Sequence, residues 1–118
     1  MSNVRRRLFS IQNILNDIDF IMNSVDFKVT YAIENKILKP AIRMHIIKLT
    51  EQFNKLKDDN AFQVLEKFDP NDLRGLNAIR NFIAHDYDSV DDGIIEDVIR
   101  ENLPQIKEIV NNLLEDEV

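Results

Sequence analysis

The chain has 118 residues, a formal net charge of −6 and no cysteine. The absence of cysteine excludes disulfides, thiolate metal sites and thiol nucleophiles, and two histidines are too few to predict a dedicated zinc site. The length fits one domain over residues 1–118, and no apolar run approaches the roughly 20 residues that span a membrane, so a soluble cytoplasmic protein is expected.

Two glycines and three prolines favour long helices over a turn-rich β architecture. The first helix is predicted over residues 3–24, where Leu8, Ile11, Ile14 or Leu15, Ile18, and Ile21 or Met22 recur at helical spacing. Its opposite face is polar, with Asn13, Asn16, Asp17 and Asn23. Asp26 is the expected cap of the next segment, which Val29 opens and Tyr31, Ile33, Ile37 and Leu38 continue. Pro40 lacks a donor and crowds the preceding turn, which predicts a kink or short break there. Beyond it, Ile42, Ile46, Leu49, Phe53 and Leu56 form a narrow apolar seam of the kind used in helix bundles.

Residues 57–60 read as a loop, and residues 61–68 as one or two short turns. Asp69 and Pro70 mark the next helix start, as cap and first helical residue. That helix is expected over residues 70–86, with Leu73, Leu76, Ile79 and Ile83 on one side. Residues 88–93 are acidic and turn-like. A last helix, from near residue 91 to 114, buries Ile95, Val98, Ile99, Leu103, Ile106, Ile109, Val110 and Leu113, and Pro104 predicts a bend in it. Residues 115–118 are expected to fray. The fold class is therefore all-α, an up-and-down bundle of four to five helices kinked near Pro40 and Pro104.

The run Arg80-Asn81-Phe82-Ile83-Ala84-His85-Asp86-Tyr87 concentrates the chemistry. With Arg80 at zero on a helical wheel, Asn81 sits near about 100° and His85 near about 140°, while Tyr87 returns close to Arg80. Phe82, Ile79, Ile83 and Leu76 are assigned to the buried half, and Ala84 leaves space between Arg80 and His85. RNA can be cleaved without a metal if one group deprotonates the 2′-hydroxyl and another stabilises the charged phosphorus centre. A histidine suits the proton transfer and an arginine fork suits the phosphate. Asn81, one turn before His85, can orient the ring or hold RNA. Such a trio on one helix face is also common as plain solvated surface.

This run resembles the Arg–His signature of the HEPN superfamily, and the tyrosine two residues after the histidine resembles its HepT-like branch. The flanks agree: residues 73–79 resemble that branch's approach to the motif, residues 89–91 its exit, residues 102–107 its kinked last helix, and residues 41–43 and 46–51 its central helix. The resemblance covers roughly residues 39–114. It implies a HEPN-like bundle and a toxin-type, metal-independent endoribonuclease without a cofactor. It also implies a homodimer in which two Arg–His motifs form one composite cleft. The implied partners are RNA and a minimal nucleotidyltransferase antitoxin that attaches AMP to the tyrosine. Carried onto this sequence, Arg80 and His85 are catalytic, Asn81 supporting, and Tyr87 the modification target.

Asp86, Asp88, Asp91 and Asp92 crowd the motif with carboxylates that repel phosphate, which keeps open a non-catalytic HEPN subunit that serves as substrate of the nucleotidyltransferase. A plain helical dimerisation module is the third reading. The net charge of −6 argues against a general nucleic-acid coating protein but leaves room for a local cationic site. Arg43 and Glu51, on the central helix, either line the cleft or pair within the bundle. His45 reads as a packing or interface residue, Arg5, Arg6 and Arg7 as solvated surface, and Phe53, Phe62 and Phe68 as core.

Overall fold

The computed structural model describes residues 2–85 and 92–116. Among them every regular element is helical, in the order α1 (Asn3–Asn23), α2 (Val29–Glu34), α3 (Leu38–Asp58), α4 (Phe62–Leu65), α5 (Pro70–His85) and α6 (Asp92–Asp97). A π-helical segment (Val98–Asn102) then leads into α7 (Leu103–Asp116).

Local chemistry sets the element ends. The Ser2 hydroxyl accepts from the N–H of Arg5 (3.1 Å) and caps α1. At the other end Asp26 and Phe27 adopt left-handed backbone conformations (φ 54° and 58°), and the Phe27 N–H reaches back to the Met22 carbonyl (2.8 Å). Asp26 thus helps close α1 and does not cap α2, whose N-cap is Lys28 without a side-chain hydrogen bond. The break expected at Pro40 falls slightly upstream. Asn35 Oδ1 accepts from the N–H groups of Ile37 (2.9 Å) and Leu38 (3.0 Å), restarting the helix as α3. Pro40 then lies in the first turn of α3, where a missing N–H leaves no intrahelical bond unmade.

All five seam residues of α3 are buried, together with Leu8, Ile11, Ile14, Leu15, Ile18 and Met22 of α1. Side-chain ties give the direction of each helix. Arg7 at the start of α1 pairs with Asp59 just beyond α3 (3.2 Å), and Gln12 of α1 bonds Asn111 of α7 (2.9 Å) while Asp19 pairs with Lys107. Thr50 of α3 donates to the Ile46 carbonyl (2.8 Å) and approaches the Leu76 carbonyl of α5 (3.3 Å). Asn102 of the π segment donates to Asp72 near the start of α5 (2.6 Å). α3 packs on α1 and α5, the π segment on α5, and α7 on α1, so the ring of four neighbours closes as an up-and-down bundle.

The bend expected at Pro104 is realised one turn earlier. Pro104 cannot donate to the Arg100 carbonyl, and the helix widens into the π segment immediately before it. α7 continues through Asp116, past the residue at which fraying was expected.

Candidate functional site

α5 carries the Arg–His run, and its start is fixed as the sequence indicated. Asp69 Oδ1 accepts from the Asn71 N–H (2.9 Å) and Pro70 takes the first helical position. Asp72, Leu76, Ile79 and Ile83 are the buried residues of α5. Burying each of the three apolar ones contributes about 1.5–3 kcal/mol, which holds the helix against rotation about its axis.

These four residues occupy a narrow arc of the wheel, about 260–320° with Arg80 at zero. Phe82, near about 200°, lies outside it. It was expected in the buried half, but it is 49% exposed. The seam that meets α3 on one flank and the π segment on the other is too narrow to cover it. Phe62, expected in the core, is likewise 57% exposed, because α4 is a single turn with no buried residue. Phe53 and Phe68 do pack in the core, edge to face at 5.0 Å.

Arg80, Asn81, Ala84 and His85 are all exposed on the outer side of α5. Among the described residues, Arg80 and His85 have no ion pair or side-chain hydrogen bond. They are five residues apart, which separates them by about 7.5 Å along the axis and about 140° around it. A small exposed alanine sits between them. The two heads therefore diverge from one helix, on a convex surface. An open cleft of about 580 Å³ lies elsewhere, between α1 and α7, with Leu15, Ile18, Met22, Ile99 and Leu103 among its walls and no residue of the Arg–His run.

Two possibilities stood open for Arg43 and Glu51. Arg43 is buried (3% exposed) and its Nη2 bonds Asp92 Oδ1 at 3.2 Å, so its guanidinium points into the bundle and does not line an open cleft. Lys39 Nζ holds the other oxygen of Asp92 at 3.0 Å. This double tie anchors the start of α6 to the start of α3, close in sequence to the end of α5. Glu51 is exposed and has no ion pair among the described residues. His45 is half-buried: its Nδ1 donates to the Ala41 carbonyl (2.7 Å), and Nε2 lies 3.9 Å from Asp17. That fits a packing residue on the α1 side of α3. Arg5 stacks over the Phe9 ring (5.1 Å) and Arg7 pairs with Asp59, at the far end of the bundle from His85. Tyr87, with Asp86, Asp88 and Asp91, lies outside the described residues.

The sequence reading did not find the Asp92 tie or the Asp72–Asn102 bond. Their partners are 49 and 30 residues apart, and only the assembled bundle brings them together.

Among the described residues, no cluster of three His, Asp or Glu side chains is placed to hold a metal ion, and no helix is long and apolar enough to cross a membrane. A family model described as ribonuclease HepT-like matches residues 11–113, nearly the whole chain and all of α5. No curated protein and no solved structure matches the chain.

Proposed function

The chain belongs to the ribonuclease HepT-like family, and on that premise we propose that it is a toxin-type, metal-independent endoribonuclease acting as a homodimer in the cytoplasm. His85 removes the proton of a ribose 2′-hydroxyl, and the 2′-oxygen attacks the adjacent phosphorus as the bond to the 5′-oxygen breaks. The leaving 5′-oxygen takes a proton from water or from the second protomer's imidazolium. Arg80 holds the phosphate and offsets the charge that builds on it, and Asn81 supports His85 or the RNA. The observation that carries this reading is the exposed Arg80 and His85, both without ion-pair partners among the described residues, on the outer face of α5. Their divergence supports a composite cleft, in which a second copy completes what one convex helix leaves open.

Purified protein incubated with tRNA and mRNA is expected to cleave RNA, and an Arg80→Ala/His85→Ala protein is not. Equal cleavage by both would overturn the assignment. Tyr87 is the proposed acceptor of AMP from a minimal nucleotidyltransferase antitoxin. Coexpression with that partner is expected to add AMP-sized mass increments that Tyr87→Phe abolishes.

The acidic run that includes Asp86, Asp88, Asp91 and Asp92 favours one second reading, a non-catalytic subunit that serves as the nucleotidyltransferase's substrate. It predicts AMP attachment without RNA cleavage.

A further inference from the structure

Two helical stripes line the open cleft of about 580 Å³. On α1, Leu15, Ile18, Asp19 and Met22 recur at helical spacing, so they share one side of the helix. Arg100, Leu103, Pro104 and Lys107 form the other wall, with Ile99 beside Arg100. α1 packs along α7 but scarcely meets the π segment, so the cleft opens where the second wall passes from one to the other. Pro104 stands at that junction, where its missing N–H goes with the wider helix before it. Phe27, from the left-handed turn that closes α1, and Val29 line the cleft as well.

The chemistry of the lining is narrow. Among the described residues it is apolar apart from Asp19, Arg100 and Lys107, and Phe27 is its one aromatic ring. It includes no Ser, Thr, Asn or Gln to read the edge of a base. Two of its three charged residues are cations, in a chain of net charge −6. Each cation is steadied by one carboxylate and keeps donors to spare. Arg100 Nε and Nη2 both donate to Glu96 Oε1 (2.9 and 2.7 Å), which uses two of the five N–H groups of a guanidinium. Lys107 gives one of its three ammonium hydrogens to Asp19.

We propose that this cleft binds a medium-chain aliphatic carboxylate, with its chain between the α1 and π-segment walls and its head on Arg100 and Lys107. The site shares no residue with the Arg–His run and does not depend on the ribonuclease reading. Its volume falls within the range of about 300–1,000 Å³ in which small-molecule sites combine an apolar lining with a few orienting polar groups. Aliphatic walls bury methylenes and offer little for a ring to stack on, and a carboxylate accepts strong hydrogen bonds from guanidinium and ammonium donors. An alkylammonium head would meet like charge. A nucleotide would leave the polar edge of its base without partners.

The test titrates the full native chain with decanoate, octanoate, 1-decanol and decylamine, read by methyl NMR. Decanoate is expected to give saturable, one-to-one shifts at Ile18, Ile99 and Leu103. Octanoate, shorter by two methylenes, should bind roughly tenfold more weakly. 1-Decanol and decylamine should each bind at least about tenfold more weakly than decanoate, for want of the charge-assisted bonds. Arg100→Gln/Lys107→Gln is expected to remove the preference for decanoate over 1-decanol while leaving 1-decanol binding unchanged. Val29→Phe, which intrudes into the cleft, should weaken both ligands alike, with circular dichroism checking that each variant folds. The native-chain comparison needs no variant. Absence of saturable shifts at these methyls, or equal affinity for decanoate, 1-decanol and decylamine, would overturn the site. Shifts of the same methyls on dilution of the ligand-free chain would give the cleft to a second copy and overturn it too. None of these readouts involves RNA, so the site and the ribonuclease reading fail separately.

Discussion

Gly75 sits in the interior of α5, on the flank that meets the π segment, and replacing it with alanine is expected to stabilise the protein. A β-carbon built there would lie 3.7 Å from Asn102 Oδ1 and 3.8 Å from a Val98 methyl, ordinary van der Waals distances. Its backbone is helical, without a positive φ. The gain is the conformational freedom that glycine loses on folding, about 0.5–1 kcal/mol in a helix interior. The opposing effect is desolvation of Asn102 Oδ1. That would cost about 1–3 kcal/mol if the methyl stripped the oxygen of its hydrogen bonds, but 3.7 Å leaves the oxygen in contact without displacing it. For a chain of this size the gain corresponds to a rise in Tm of about 2–6 °C, read by circular dichroism with a urea titration beside it. Gly75→Val puts its γ-carbons into the same gap and should lower Tm. A lower Tm for Gly75→Ala would mean that α5 and the π segment pack more tightly than described, and the register linking Asp72 to Asn102 would fall with it.

Phe82 and Ile83 are neighbours with opposite environments, at 49% and 8% exposed. Phe82→Ala should change stability by no more than about 0.5 kcal/mol, whereas Ile83→Ala should cost about 2–5 kcal/mol in the same denaturation assay. Glu96 gives a pH test. Its pKa is held below the ordinary value near 4.5, chiefly by the hydrogen bond from Arg100, which outweighs an upward push from desolvation; a weaker hydrogen bond from Thr30 and the charge of Arg100 add to the lowering. A depressed carboxyl contributes stability above its unfolded pKa and loses it as the pH falls through the folded value, so the effect lies below about pH 4.5. Carboxyl-carbon NMR titration should show Glu96 shifting back toward the ordinary value in Arg100→Ala, and an unmoved titration would assign the shift to another cause.

The bundle was readable wherever one short-range pattern decided the outcome. The α3 seam repeats at steps of four and three, and all five of its residues are buried. Asp69 and Pro70 act locally, and they start α5 as expected. What failed depended on partners or on how wide a packed arc becomes. Asp26 has the residue type of a cap, but a left-handed turn had already spent its backbone closing α1. Pro40 reads as a breaker in any window, yet Asn35 breaks the chain first and turns Pro40 into a first-turn residue. Phe82 is apolar and near the seam in angle, but its exposure depends on neighbouring helices that no local pattern describes. The candidate site was legible as a string of residue types. The ties behind it, Arg43 and Lys39 on Asp92, were not, since their partners are about 50 residues away in sequence.

Whether one protomer can use its own Arg80 with its own His85 is a geometric question with a decisive experiment. Five helical residues place their Cα atoms about 7.5 Å apart in height and about 140° apart in direction. A guanidinium at zero and an imidazole at 140° face different solvent, and neither borders the open cleft between α1 and α7. The composite cleft proposed above would remove the difficulty by bringing the arginine of one copy beside the histidine of the other across a two-fold axis. Coexpressing Arg80→Ala and His85→Ala chains with different tags gives about half heterodimers by random pairing. The isolated heterodimer keeps one intact arginine and one intact histidine, on different chains. A site shared across the dimer predicts that it cleaves RNA while both parent homodimers are inactive. A site built within each protomer predicts no recovery, because neither chain of the heterodimer retains both groups. An inactive heterodimer that still binds RNA like the native dimer would place both groups of one site on the same α5 and refute the composite cleft.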